Sequence, residues 1–214
     1  RRCVRKVNAL SPDIVVLTGD YVYDPSYRAS IFLLPVADEL AELKAKEGVF
    51  AVLGNHDNKD HTSGALSERG IRVLINEHIA LYRKKEYVFI AGVDDLWRGK
   101  MDLARTLKGT DDKPKILLVH NPDAIEMIKA TDVDFVMAGH THGGQVSLPL
   151  YGPPVIYSKF GARYAAGLFR EGRTMMYVNK GIGISGFPVR FCARPEITLF
   201  TLRNKRIEEV VGQI

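Results

Sequence analysis

Six histidines are spread along the 214 residues, and four of them stand where short apolar runs stop. Residues 14–18 run into Gly19-Asp20, residues 49–53 into Gly54-Asn55-His56-Asp57, and residues 116–119 into His120. Residues 133–138 run into Gly139-His140-Thr141-His142-Gly143-Gly144. Imidazole, carboxylate and amide oxygen together form a donor set for a divalent transition ion (Mn, Fe, Zn or Ni) rather than for one that seeks thiolate. Such ligands must converge to within about 2–2.6 Å of one point. The flanking glycines permit the sharp turns and close backbone approach that this requires. A histidine of this kind, taken alone, is ordinarily a packed core or surface residue. Four strand ends carrying His, Asp or Asn are hard to explain by packing, because strand ends that enter loops are where α/β sites assemble. His140 and His142, two residues apart in a glycine-rich turn, suit two neighbouring ions bridged by a carboxylate. His61 and His78 fall outside the pattern.

The elements that must position these ends alternate apolar runs with amphipathic stretches. The β-branched run at 14–18 and the run at 49–53 predict strands buried on both faces. Further strands are predicted over 71–75, 116–119, 133–138, 174–179, 196–202 and 206–210. Residues 79–83 and 87–93 predict a hairpin turning at Lys84-Lys85, and Asn204-Lys205 predicts another turn. Helices are predicted over 29–46, stopped by Gly48, and over 62–69, 100–108 and 122–129, the last with Pro122 in its first turn. No linker divides the chain. The expectation is one α/β domain over residues 1–214, with a mixed sheet or a pair of packed sheets.

Composition narrows the function classes. The chain is 46% hydrophobic and 26% charged, the profile of a globular protein. No apolar run approaches the roughly 18 residues of a membrane span; the longest candidate, residues 31–37, contains Pro35. Two cysteines, Cys3 and Cys192, are too few for a disulfide scaffold or a zinc ribbon. The net charge of +5 includes a cluster of Arg1, Arg2, Arg5 and Lys6 and the run Arg83-Lys84-Lys85. These read as a solvated surface, or as attraction to an anionic partner such as a phosphate ester or an acidic membrane surface. No aromatic stripe is interleaved with them, so there is no strong nucleic-acid signal. Gly181-Ile-Gly183-Ile-Ser-Gly186 matches GxGxxG, but Pro188 opposes the helix that a dinucleotide site requires. That segment reads as a loop lining or supporting the site.

Gly19-Asp20, Gly54-Asn55-His56-Asp57, His120 and Gly139-His140-Thr141-His142 together resemble, in order and spacing, the signature of the calcineurin-like metallophosphoesterases. The stretches 91–95, 118–123 and 188–197 resemble a bacterial subgroup found at the cell envelope. The resemblance implies a four-layer α-β-β-α sandwich and hydrolysis of phosphate esters by metal-activated water, with phosphodiester or pyrophosphate substrates favoured. It implies that Asp20 bridges two metals, that Asn55, His120 and His140 complete one shell, and that His142 serves the other. It gives His56 the role of contacting the phosphate or protonating the leaving oxygen, with Asp57 orienting it. Asp94 and Asp95 fall near the pocket mouth without a role. The family's opening D-x-H motif and the strand before it do not occur upstream of Asp20 in this chain. Either that strand lies upstream of Arg1 or it is absent; if it is absent, a second metal site that is weak or empty is expected, and an unpaired strand edge offers a route to a homo-oligomer. The alternative class is a catalytically weakened or non-catalytic metal-binding scaffold, against which the intact Asn55-His56-Asp57 argues. A phosphorylated small-molecule or lipid-linked substrate is expected. The compartment stays open, cytoplasmic or held at the envelope by a segment upstream of Arg1.

Overall fold

The computed structural model describes residues 1–23, 29–83, 85–203 and 206–213. In chain order the elements are α1 (Arg2–Ala9), β1 (Ile14–Leu17), α2 (Ala29–Ala41), β2 (Gly48–Ala51), α3 (Lys59–Ser67) and β3 (Arg72–Val73). There follow β4 (Glu77–Arg83), β5 (Glu86–Gly92), α4 (Leu103–Leu107), β6 (Lys115–Leu118), α5 (Ile125–Ile128) and β7 (Phe135–Ala138). The chain ends with β8 (Gly167–Glu171), β9 (Thr174–Val178), β10 (Glu196–Arg203) and β11 (Arg206–Gln213). Strands β1, β2 and β3 form one parallel sheet. A second sheet has the order β4-β5-β6-β7-β9-β8, parallel from β5 to β9 with antiparallel strands at both edges. Strands β10 and β11 form an antiparallel hairpin. Lys84 and Asn204-Lys205, where two turns were expected, lie outside the described residues.

The layers follow from the period of two along the strands. Ile14, Val16, Phe50 and Val52 pack against Ile90, Ile116, Leu118, Phe135 and Tyr177, so the two sheets meet face to face. The alternate residues Val15, Val49 and Ala51 face the helices, against Leu33 and Ala37 of α2 and Ala65 and Leu66 of α3. On the far side, Ala91, Leu117, Val136 and Met176 pack on Ile125 and Ile128 of α5. The result is the expected α-β-β-α sandwich. Phe200 of β10 reaches the inter-sheet core, its ring 5.1 Å from that of Phe135 and 4.9 Å from that of Tyr177.

Three elements differ from the sequence expectation. Helix α2 stops at Ala41 rather than 46. The Asn8 side chain donates to the Glu42 carbonyl at 2.7 Å and accepts from the Lys44 amide at 2.8 Å, which diverts the chain from helical pairing. Residues 2–9, read only as a basic cluster, form α1, with Val4 buried and Val7 on the helix-facing core. Strand β8, unforeseen, closes the sheet edge beyond β9.

Candidate metal centre

All four expected polar clusters sit at the C-terminal ends of β1, β2, β6 and β7, and packing the two sheets face to face brings these ends together. One carboxylate oxygen of Asp20 and one ring nitrogen each of His120 and His140 lie within 4.8 Å of one another. Asp20 Oδ2 is 3.2 Å from His120 Nε2, and His140 Nδ1 is 3.1 Å from the same nitrogen. His120 Nδ1 lies 2.6 Å from the Thr18 carbonyl. A carbonyl only accepts, so Nδ1 carries the proton and Nε2 of the neutral ring presents its lone pair to the cluster. A lone pair facing a carboxylate is repulsive unless a cation lies between them. A proton or a metal ion meets that need equally.

The electrostatics agree. Burial raises the Asp20 carboxyl, but its bond and charge pairing with His120 and the His56 amide outweigh this and hold it at about 2. Burial lowers His120, but the bond to Asp20, the Asp20 charge and the Thr18 carbonyl together raise it above its ordinary value. His140 is pushed down to about 3 by burial and by the neighbouring His120 charge, and His142 to about 4 by burial and by Arg190. Both therefore stay neutral at physiological pH, the form that binds metals.

The backbone is built around this cluster. Asp20, His140 and His142 are non-glycine residues at φ 58°, 69° and 54°, each costing about 1–3 kcal/mol that the surrounding packing must offset. Gly19 and Gly54 permit the closest approach: a Cβ on Gly54 would lie 2.2 Å from Asp20 Oδ1 and 2.7 Å from both the Asp20 amide and His120 Cε1. Gly54→Ala is expected to destabilise the fold by about 1–3 kcal/mol through overpacking and to weaken metal affinity; thermal unfolding and metal titration read the two effects.

Asn55 Oδ1 is buried without a hydrogen-bond partner, and so is His140 Nε2. Unpartnered buried acceptors cost free energy unless something donates to them. Asn55 stands between Gly54, which abuts Asp20, and His56, whose amide bonds Asp20, and an unpartnered amide oxygen is a donor of the kind a metal shell takes, so the residues present fit a divalent ion. His142 lies outside that group, with Arg190 Nη2 3.3 Å from its Nδ1.

His56 is exposed, its ring edge-on to Tyr23 at 4.7 Å between centroids, and its amide donates to Asp20 Oδ1 at 2.9 Å. The hydrogen bonds of the Asp57 carboxylate run to backbone amides. Its Oδ2 accepts from the amides of Asp20 and Gly54, both at 2.8 Å, and its Oδ1 from Tyr21 at 3.1 Å. Burial nonetheless pushes its carboxyl up to about 6. Asp57→Ala strips three amides of their acceptor, and a loss of roughly 3 kcal/mol is expected. It would appear as a thermal midpoint lower by about 6–12 °C in a chain of this size.

Several contributors gave no sequence signal. Thr18 acts through its carbonyl, and the Tyr21 hydroxyl bonds the Val52 carbonyl at 2.9 Å to join the first two strand ends. Trp97, the chain's one tryptophan, stands edge-on to His140 at 4.5 Å. Asp94 and Asp95 build its loop: Asp95 Oδ1 accepts from the Trp97 and Arg98 amides, and Asp94 Oδ2 from Lys100 and the Lys59 ammonium. The segment 181–186 is the expected loop, fastened to the Arg190 guanidinium through the Gly183 carbonyl.

The family model described as calcineurin-like phosphoesterase matches residues 1–144. An uncharacterized metallophosphoesterase of Bacillus subtilis, YkuE, is 38% identical over 92% of this chain and 70% of its own length. The phosphodiesterase YaeI of Escherichia coli is 35% identical over 89% of this chain and 70% of its own. Among solved structures, the Thermus thermophilus sulfate thiohydrolase SoxB superposes with a TM-score of 0.61 at 12% identity, over 100% of this chain and 41% of that one. A novel archaeal phosphodiesterase superposes at 0.51 and 16% identity, over 99% and 90%. The ordered strand-end residues, the sandwich that gathers them and these relatives converge: the chain belongs to the calcineurin-like phosphoesterase family, hydrolases of phosphate esters that work with divalent metal ions.

Proposed function

We propose that residues 1–214 act as one domain that cleaves phosphodiesters or pyrophosphates, with Asp20, Asn55, His120 and His140 holding a Mn, Fe, Zn or Ni ion. The observation that carries this reading is the Asp20–His120–His140 group with its three ligand atoms inside 4.8 Å; the buried, unpartnered Asn55 oxygen supports its fourth ligand. A bound ion of this kind polarises a phosphoryl oxygen and lowers the pKa of water. His142 and Asp20 are the ligands for a second ion. The Arg190 guanidinium beside His142 opposes another cation there, so the second site is the weaker.

The remaining work falls to the chain's own groups. Thr18 fixes the His120 tautomer. Asp57 ties the loops after β1 and β2 together, so that Asp20 and Asn55 keep their spacing. The exposed His56 imidazole reaches substrate and gives a proton to the departing alkoxide. The diester preference draws on the relative named a phosphodiesterase. A panel of aryl phosphodiester, aryl phosphomonoester and nucleotide-sugar substrates, assayed with and without added Mn, tests the reading. Metal-dependent turnover with the diester or pyrophosphate ahead supports it. Turnover that survives complete chelation, or no turnover on any of them, overturns it.

A further inference from the structure

We infer that the loops flanking His142 form a docking face for an anionic lipid surface. Leu148, Leu150, Tyr151, Ile184, Phe187 and Phe191 are all exposed there, Leu150 completely and Phe187 to 77%. Exposed apolar side chains scattered singly are ordinary; a connected set marks a contact surface. These are connected. Val146 pairs with Phe191, and Leu148 with Gly152. The Gln145 amide donates to the Ser185 and Phe187 carbonyls at 2.9 and 2.8 Å and accepts from the Ser185 amide at 2.8 Å. Gly144 lies against Pro153, where a Cβ would come within 2.0 Å of the proline Cβ. Arg190 closes the assembly on the carbonyls of Lys180, Gly183 and Ala193. The loops are thus internally fastened while their apolar side chains point to solvent. Leu150 does so from a left-handed backbone at φ 69°, a strained way to expose a leucine.

Charge identifies the occupant. Between Phe135 and Pro195 the sequence has seven bases and one acid, Glu171, and the flanking Asp134 and Glu196 pair with two of those bases, Arg173 and Lys180. Glu171 is already paired with Arg163 at 2.7 Å. Lys159, Arg170 and Arg194 have no ion pair among the described residues. Apolar and aromatic tips in the same loops as the unpaired Lys159 and Arg194 match a bilayer interface that bears anionic headgroups. Among the described residues no helix is long and apolar enough to cross a membrane, so this contact is with the surface.

The inference stands independently of the proposed reaction. Its test is sedimentation of the wild-type chain with vesicles of phosphatidylcholine containing phosphatidylglycerol, and with vesicles of phosphatidylcholine alone. Binding to the anionic vesicles is expected. The Leu150→Glu/Phe187→Glu variant should lower the partition coefficient by at least about tenfold, and Lys159→Glu/Arg194→Glu by roughly tenfold. Both variants should keep the thermal midpoint and the turnover of a soluble aryl phosphodiester. Absence of wild-type binding, or binding that the apolar variant leaves unchanged, overturns the inference. So does a wild-type dimer that this variant makes monomeric without any vesicle binding, which would assign the face to a second copy of the chain.

Discussion

Asp20→Asn is expected to abolish tight metal binding and to lower metal-dependent turnover by at least about a thousandfold. Asparagine keeps the size of the side chain and tolerates the left-handed φ of 58°, so the turn after β1 survives. What it removes is the charge. His120 then loses the carboxylate 3.2 Å from its Nε2, and an ion between them loses its anionic ligand. The contribution of such an ion to a developing phosphoryl charge is several kcal/mol, and each 1.36 kcal/mol is about tenfold in rate. Metal content by mass spectrometry and turnover should therefore fall together while thermal unfolding stays cooperative. An Asp20→Asn protein that keeps its ions and full activity would remove Asp20 from the centre.

His56→Ala should give the opposite pattern: metal content unchanged and turnover lower by about a hundred- to ten-thousandfold, the range for a lost general acid. The His56 link to the cluster is its backbone amide, which alanine retains, so Asp20 Oδ1 keeps its 2.9 Å bond. The ring itself is exposed and contacts Tyr23 edge-on. The loss should shrink for substrates with an acidic leaving group, since a good leaving group needs no proton. A uniform loss across leaving groups would show that His56 binds the phosphate instead. Unchanged turnover would show that it takes no part.

Asp20, His120 and His140 were legible because each follows an apolar run, and the face-to-face packing of two such sheets turns equivalent strand ends into one place. The layers were legible for a related reason: Val15 and Val16, or Phe50 and Ala51, face opposite ways by the strand period alone. What was illegible depends on contacts distant in sequence. Asn8 ending α2 acts across 34 residues, and the Thr18 carbonyl fixes His120 across 102. The part of Asp57 in joining two loops rests on amides 36 and 37 residues away, which its place beside His56 in the sequence does not announce. Arg190 meets His142 from a loop 48 residues on, a pairing that the resemblance of stretch 188–197 did not specify. Helix α1 was hidden by composition, because Arg2, Arg5 and Lys6 dominate a segment whose buried face is little more than Val4 and Val7.

The most direct test of the metal centre is a crystal structure of the protein soaked in Mn, with the ion located by its anomalous scattering. The account predicts an anomalous peak about 2.0–2.6 Å from Asp20, Asn55, His120 and His140 together. A Mn peak bound elsewhere on the chain, with that cluster empty, would contradict it.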